Sequence, residues 1–225
     1  SSSVGILNIN RRISKVNKNT TALILIGYQN DYFANDGILH GVIEESLDAN
    51  NVLQNTIELI DNLPQQDMLI VSTPICFTHE YDELSDAVGI LKVIKEAGAF
   101  KSGTHGAETI NELKVFGDTI MEVPGKRGLD AFSNTALNEI LQQHGIQDIV
   151  IAGVATSVCI DTTGRSAQAQ GYHVSILSDC TAGRTSYEQE FYCDSIFPIY
   201  ARVITSKALL EELTSDSISQ QINTL

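Results

Sequence analysis

The sequence contains several short runs that are apolar at nearly every position rather than at alternate positions. The clearest are residues 21–26 (TALILI), 68–72 (MLIVS) and 148–152 (DIVIA). A strand of this composition is buried on both faces, which is typical of parallel sheets covered by helices on both sides. Three weaker runs extend the pattern to five or six strands, at 119–123, 172–177 and 202–204.

Longer amphipathic stretches separate these runs. Their apolar spacing predicts five helices, at 46–63, 133–144, 157–170, 187–196 and 207–213. Ser133 is placed as the N-cap of the second. Strands that alternate with helices favour right-handed crossovers, so we expect an α/β fold of three layers, α/β/α, around a mostly parallel sheet. The length favours a single domain over residues 1–225, with residues 1–18 as an N-terminal extension.

The charge balance excludes one large class of partner. The chain has 28 acidic side chains against 14 basic ones, whereas binding to phosphate groups needs clustered Lys and Arg. No run approaches the ~20 apolar residues of a membrane helix. Four scattered cysteines do not make a secreted disulfide framework, and they form no CxxC pair for structural zinc. We therefore expect a cytoplasmic protein that binds neither nucleic acid nor membrane.

One cysteine is placed for chemistry. In parallel α/β sheets the active site lies beyond the carboxyl ends of the strands. Cys159 follows the strand at 148–152 and a turn that contains Gly153, in the first turn of the next predicted helix. A helix N-terminus favours a thiolate, and its free amides can hold an oxyanion. Packing as a small apolar side chain is the common alternative for a cysteine, and on placement alone both interpretations remain open.

Four segments of the sequence, the first of which contains Cys159, favour a reactive thiol over a packing residue. The first runs from Gly153 to Cys159 (GVATSVC) and continues with Asp161, Thr162 and Arg165. The others are residues 124–127 (PGKR), 22–33 (ALILIGYQNDYF) and 178–182 (SDCTA). In this order along the chain, the segments resemble those of the isochorismatase-like cysteine hydrolases. The resemblance covers about residues 20 to 205.

The resemblance implies a hydrolase of small amides, ureides or esters that forms a thioester intermediate. Cys159 matches the family's nucleophile and Lys126 its catalytic lysine. The Val154–Ala155 peptide bond is implied to be cis, and the amides of Ala155 and Cys159 to form the oxyanion hole. Relatives are commonly oligomers, so a homo-oligomer (dimer or tetramer) is implied as well. No cofactor is implied.

The third member of the family's triad is missing. An Asp normally closes the first strand, and this chain has Gly27 there. Asp31 is our first candidate to replace it, with Glu80 and Asp179 as others, although tying the following loop is the more common role of such an Asp. Without a positioned acid the leaving nitrogen of an amide stays unprotonated, which typically costs about 10²–10⁴-fold in rate.

We therefore expect activated esters and thioesters to react faster than amides, and a Gly27→Asp variant to gain amidase activity. Two other interpretations of Gly27 stay open. It is an engineered substitution, or it marks a catalytically reduced branch that serves as a small-molecule binding or interaction protein.

Two predictions depend on loop residues: which side chains line the pocket, and whether the chain binds a metal ion. From their positions after the strands we predict a pocket rim made of Tyr28, Phe33, His79, Tyr81 and Phe132. Metal-dependent relatives such as nicotinamidases use an Asp-x-His with a later His. The segment around His79 has no such pattern, so we assign no metal.

Overall fold

The structure is a computed structural model that describes residues 16–64 and 68–223. Its strands are β1 (Thr21–Ile26), β2 (Leu69–Ser72), β3 (Met121–Glu122), β4 (Asp148–Val154), β5 (His173–Ala182) and β6 (Arg202–Ile204). Its α-helices are α1 (Asn30–Phe33), α2 (His40–Ala49), α3 (Val52–Asn62), α4 (Gly89–Ala97), α5 (Asn111–Lys114), α6 (Leu137–Gln143), α7 (Asp161–Ala169), α8 (Ser186–Phe191) and α9 (Ser206–Ile222). Residues 1–15, most of the predicted N-terminal extension, lie outside the described part.

The six strands form one sheet in the order β3-β2-β1-β4-β5-β6, and every neighbouring pair is parallel. Ile26 at the end of β1 is level with Gly153 near the end of β4. The carboxyl ends of the two central strands therefore lie side by side. The predicted three-layer α/β/α fold is confirmed.

Three apolar clusters form the core of the part of the chain that the structure describes. One packs Ile24, Ile151 and Cys159 against α6 and α7 on one face of the sheet. A second packs Leu25, Ala152 and Cys180 against α3 and α9 on the opposite face. The third lies at the carboxyl edge, where loop aromatics meet the end of β4. The two facing clusters explain why β1 and β4 are apolar at consecutive positions.

Local differences from the predicted elements have physical causes. The helix expected over 46–63 is two helices, because Asn51 takes a left-handed conformation (φ 50°) between α2 and α3. Ser133 is not an N-cap: its hydroxyl donates to Asp130, and α6 begins only at Leu137. The helix α4 was not predicted.

Within residues 16–64 and 68–223, none of the helices combines the length and the apolar character that crossing a bilayer requires.

Candidate active site

Cys159 lies in a widened turn between β4 and α7. The chain leaves β4 through a cis peptide bond between Val154 and Ala155 and then forms a five-residue π-turn, Thr156–Ile160. The Ala155 carbonyl accepts hydrogen bonds from the amides of Val158 and Ile160, both at 3.1 Å. Cys159 is buried, with 6% of its surface exposed. This turn places the thiol at the carboxyl edge of the sheet, beside its central strand.

Side chains from α8 hold the turn. Thr156 donates a short hydrogen bond to Gln189, and Ser157 donates to Glu188 at 2.6 Å. Glu188 also pairs with Arg184 at 2.6 Å, and these contacts lower the pKa of its carboxyl although partial burial raises it. The turn that carries Cys159 is therefore anchored by α8 side chains that lie outside the sequence motif.

Lys126 reaches the same point from the other side. Its Nζ donates a hydrogen bond to Cys159 Sγ at 3.3 Å, and only 1% of its surface is exposed. Its backbone is aligned with Ile75 after β2, and its carbonyl accepts from the Cys76 amide at 3.2 Å. Within the described part of the chain, no carboxylate forms an ion pair with Lys126. The thiol of Cys159 is thus the side-chain partner of a buried ammonium group.

Gln29 fixes the loop that carries this alignment. Its side-chain amide donates to the carbonyls of Ile75 at 2.8 Å and Ala107 at 2.9 Å, and its Oε1 accepts from the Ile75 amide at 3.0 Å. Both ends of the amide are therefore used by backbone groups. Gln29 therefore supports the loop segment at Ile75, with which Lys126 is aligned.

Gly27 differs from an aspartate in its backbone conformation as well as in lacking a side chain. It has φ +78°, in the left-handed region that favours glycine. A Cβ at this position would lie 2.7 Å from Val154 Cγ2 and 2.9 Å from the Val154 carbonyl oxygen. An aspartate therefore fits here only if the backbone changes. The expectation that Gly27→Asp simply restores the acid is not supported by this geometry.

The candidate replacement acids are engaged elsewhere. The buried Asp31 carboxylate accepts from the Phe100 amide at 2.8 Å and the Ile38 amide at 3.5 Å. Asp179 accepts from the Ser206 amide at 2.8 Å and hydroxyl at 2.6 Å. Glu80 is exposed. None of the three makes a described hydrogen bond or ion pair with Cys159 or Lys126, so a catalytic role for Asp31 stays a prediction without a contact to support it.

The five predicted pocket residues lie in different parts of the structure. Phe132 shares an apolar cluster with Cys159, and Tyr81 lies in the edge cluster with Ala155. Phe33 packs between the edge cluster and the opposite face. Tyr28 lies in the cluster of that opposite face, where its hydroxyl bonds Thr56 at 2.8 Å, and His79 is exposed. The structure therefore brings Phe132 and Tyr81, but not Tyr28, to the side where Cys159 lies.

Sequence reasoning missed Tyr32. It is buried in α1, and its Cδ2 is 3.5 Å from the place of a Cβ at Gly27. Burial and then the negative charge of Cys159 raise the pKa of its hydroxyl. The signal was available, because Tyr32 directly follows Asp31 in the segment 22–33, five residues after Gly27.

No group of three or more His, Cys, Asp or Glu side chains that could hold a metal ion occurs among the described residues.

Comparisons with known proteins identify relatives of the chain and solved structures with the same fold. A probable inactive nicotinamidase of Arabidopsis thaliana is 29% identical over 170 residues, which is 73% of this chain and 82% of that protein. A cysteine hydrolase from Pseudomonas syringae pv. phaseolicola shares the fold, with a TM-score of 0.77 at 19% identity over 90% of this chain and 96% of that one. An N-carbamoylsarcosine amidase from Thermoplasma acidophilum does so too, with a TM-score of 0.66 at 18% identity over 83% of this chain and 96% of that one.

A family model described as the isochorismatase domain matches residues 21–208, from the first residue of β1 into α9. The match includes the strand ends, the Lys126 segment and the Cys159 turn. The chain therefore belongs to the isochorismatase family.

Proposed function

We propose that this protein is a hydrolase of small carbonyl compounds in which Cys159 is the nucleophile and a thioester is the intermediate. The observation that carries the proposal is the buried contact of 3.3 Å between Lys126 Nζ and Cys159 Sγ. Membership of a family of hydrolases supports it. An amide, a ureide or an ester offers the carbonyl carbon that a thiolate attacks.

The burial of Lys126 argues for a thiolate. A buried charge is stable only when it is paired, and Lys126 has no carboxylate partner within the described residues. Ionising an ordinary thiol at pH 7 costs only about 2 kcal/mol. An ammonium group at hydrogen-bonding distance favours the charged form of the sulfur. The two residues therefore work as an ion pair, with Lys126 as the electrostatic partner.

The amides of Ala155 and Cys159 are our candidates for the oxyanion hole. Both belong to the turn that begins with the cis bond, on the side of the sheet edge where Lys126 enters. Two preorganised N–H donors stabilise the negative oxygen that forms when sulfur adds to a carbonyl. Val154 contributes by placing Ala155, and Phe132 and Tyr81 by closing the apolar sides of the pocket.

The glycine at position 27 decides the preferred leaving group. Acylation of Cys159 by an amide requires a proton on the departing nitrogen, and within the described part of the chain no carboxylate forms a hydrogen bond or ion pair with Lys126 or Cys159. General acid catalysis contributes about 10²–10⁴-fold. Esters and thioesters, whose leaving groups need less help, should therefore react faster than amides of the same acid.

A binding protein on the same fold is the second candidate. The observation in its favour is Gly27, whose backbone has no space for the family's acid. A relative at 29% identity is described as a probable inactive nicotinamidase, which shows that the family's activity is not assumed for every member.

An acylation experiment separates the two. A p-nitrophenyl ester should release a burst of nitrophenol, and mass spectrometry should find the acyl group on Cys159. Cys159→Ala should abolish the burst. Cys193→Ala, which removes a half-buried thiol packed beside α8, should keep it. Absence of any burst, with reversible binding of the same compounds, would establish the binding protein instead.

Four further expectations belong to this proposal. We propose a small-molecule substrate, a cytoplasmic location and a homo-oligomer. We also propose a single hydrolase domain over residues 1–225.

A further inference from the structure

A cavity opens at the β3 edge of the sheet. Its volume is about 290 Å³, and its walls are the ends of β2 and β3, the short helix α5 and the loops on either side of α5. Leu113 and Ile120 line it, and both pack in the apolar cluster on the face of the sheet opposite to Cys159. Ligand pockets measure about 300–1,000 Å³, so the cavity suits a small molecule. It is a different place from the Cys159 site.

Short elements leave this cavity open, and hydrogen bonds hold its wall. β3 has two residues, both exposed, and α5 is a single turn, so this corner of the sheet is only partly covered. The Asn30 amide donates to the Glu108 carbonyl at 3.0 Å, and the Ile110 amide donates to the Tyr28 carbonyl at 3.1 Å. A ligand therefore enters a preformed space and does not have to order the wall.

Ser72 supplies an unused hydroxyl to the cavity. It is the last residue of β2, it lines the cavity, and only 7% of its surface is exposed. Within the described part of the chain its hydroxyl makes no hydrogen bond, whereas every fully enclosed side-chain oxygen or nitrogen there has a partner. The Ser72 oxygen is therefore not enclosed by protein and opens to the cavity that the residue lines. A hydroxyl in this place can donate and accept.

The charges around the cavity leave one carboxylate unpaired. Glu108 and Lys114 form an ion pair at 3.0 Å, and the hydrogen bond and charge of Lys114 lower the pKa of the Glu108 carboxyl. Glu122 is level with Ser72 on the neighbouring strand and lines the same cavity. Its carboxylate has no ion-pair partner among the described residues. The cavity therefore combines an apolar floor, a free hydroxyl and one uncompensated negative charge.

We propose that this cavity binds a small organic ammonium compound with an apolar body, of the arylalkylamine class. The ammonium group pairs with the Glu122 carboxylate and donates to the Ser72 oxygen, and the ring packs on Leu113 and Ile120. The net charge of −14 on the chain attracts such a cation. An anion would instead meet Glu122 and would have to displace Glu108 from Lys114. The inference does not rest on the proposed hydrolase, because the cavity lies on the other face of the sheet.

Three probes of one shape test the ligand class on the full chain. Phenethylamine, phenethyl alcohol and phenylpropionate differ in charge and share the ring and a short chain. In a titration followed by methyl NMR, the amine should shift the signals of Leu113 and Ile120 but not that of Ile160, which packs with Cys159. It should bind about 5-fold more tightly than the alcohol, the acid should bind most weakly, and added NaCl should reduce the advantage of the amine. An amine that binds no better than the other two, or that shifts Ile160 instead, would overturn the proposal.

Two variants test the polar contacts. Glu122→Gln keeps the size of an exposed side chain and should weaken amine binding about 5-fold, with the alcohol unchanged. Glu112→Gln is the matched control, because this exposed carboxylate of α5 lies outside the cavity lining and should change neither affinity. Ser72→Ala should weaken the amine about 3-fold through the lost hydrogen bond. Equal losses in the two Gln variants, or full affinity in Ser72→Ala, would overturn the proposed contacts.

Discussion

Cys159 and Cys180 are both buried thiols near the carboxyl ends of neighbouring strands, but they lie on opposite faces of the sheet. Cys159 accepts a hydrogen bond from the Lys126 ammonium group. Cys180 lies next to the Asp179 carboxylate, and burial together with that negative charge raises the pKa of its thiol. Burial is nearly the same in both, so the two thiols differ mainly in the charge of the neighbouring side chain.

The largest expected effect is in thiol reactivity. At pH 7, iodoacetamide should modify Cys159 at least ~10³-fold faster than Cys180, because the thiolate is the reacting form. Peptide mass spectrometry over a time course measures both rates in one sample. Comparable rates for the two thiols would remove the distinction.

Removing the positive charge of Lys126 should have the second largest effect. Lys126→Met keeps an unbranched apolar side chain in the buried space and deletes the charge. We expect alkylation of Cys159 and the ester burst to slow by about 10²-fold, since one favourable charge interaction of this kind shifts an ionisation by one to three units. Lys114→Met removes an exposed lysine paired with Glu108 and should have no effect. An unchanged burst in Lys126→Met would show that Cys159 is activated by other groups.

A methyl group at position 27 should lower the stability of the fold. Gly27→Ala places a Cβ against Val154 and forces a left-handed conformation, so we expect a loss of about 1–3 kcal/mol in the free energy of unfolding. Gly128→Ala is the control, because nothing lies within 4 Å of a Cβ there. Urea unfolding measures both. We expect Gly27→Asp to show the same loss and no gain in amide hydrolysis, and a gain at full stability would contradict the geometry.

The smallest effect concerns alkaline pH and Cys180. The pKa of the Cys180 thiol is raised in the folded state. The stability that this thiol contributes is therefore fully present below its unfolded pKa of ~8.5, and it is lost as pH rises towards the folded pKa. Stability should therefore fall from pH 8.5 upward, by about 1.4 kcal/mol per pH unit for this thiol. Cys180→Ala should flatten the fall between pH 8.5 and 10. Cys193, whose pKa burial raises to about 11, adds a similar slope that persists in the variant.

The outline of the fold followed from the sequence because β1 and β4 carry consecutive apolar residues. The bond at Val154–Ala155 and the pair of Cys159 with Lys126 lie in motifs that had been singled out. What could not be predicted depends on packing between distant segments. The ring of Tyr32 reaches the Cys159 side, whereas Tyr28, four residues earlier, points to the opposite face and bonds Thr56. Asp31 was identified by type, but only the structure shows that backbone amides of two loops occupy its carboxylate.

The contact between Gly27 and Val154 couples the ends of β1 and β4. Shortening the Val154 side chain would remove its Cγ2 from the path of a Cβ at position 27, but the Val154 carbonyl oxygen, 2.9 Å from that Cβ, belongs to the backbone and would stay. The φ of +78° at Gly27 would stay as well. A side chain at position 27 therefore requires the end of β4 to move, so the backbone that leads into the Cys159 turn responds to a change one strand away.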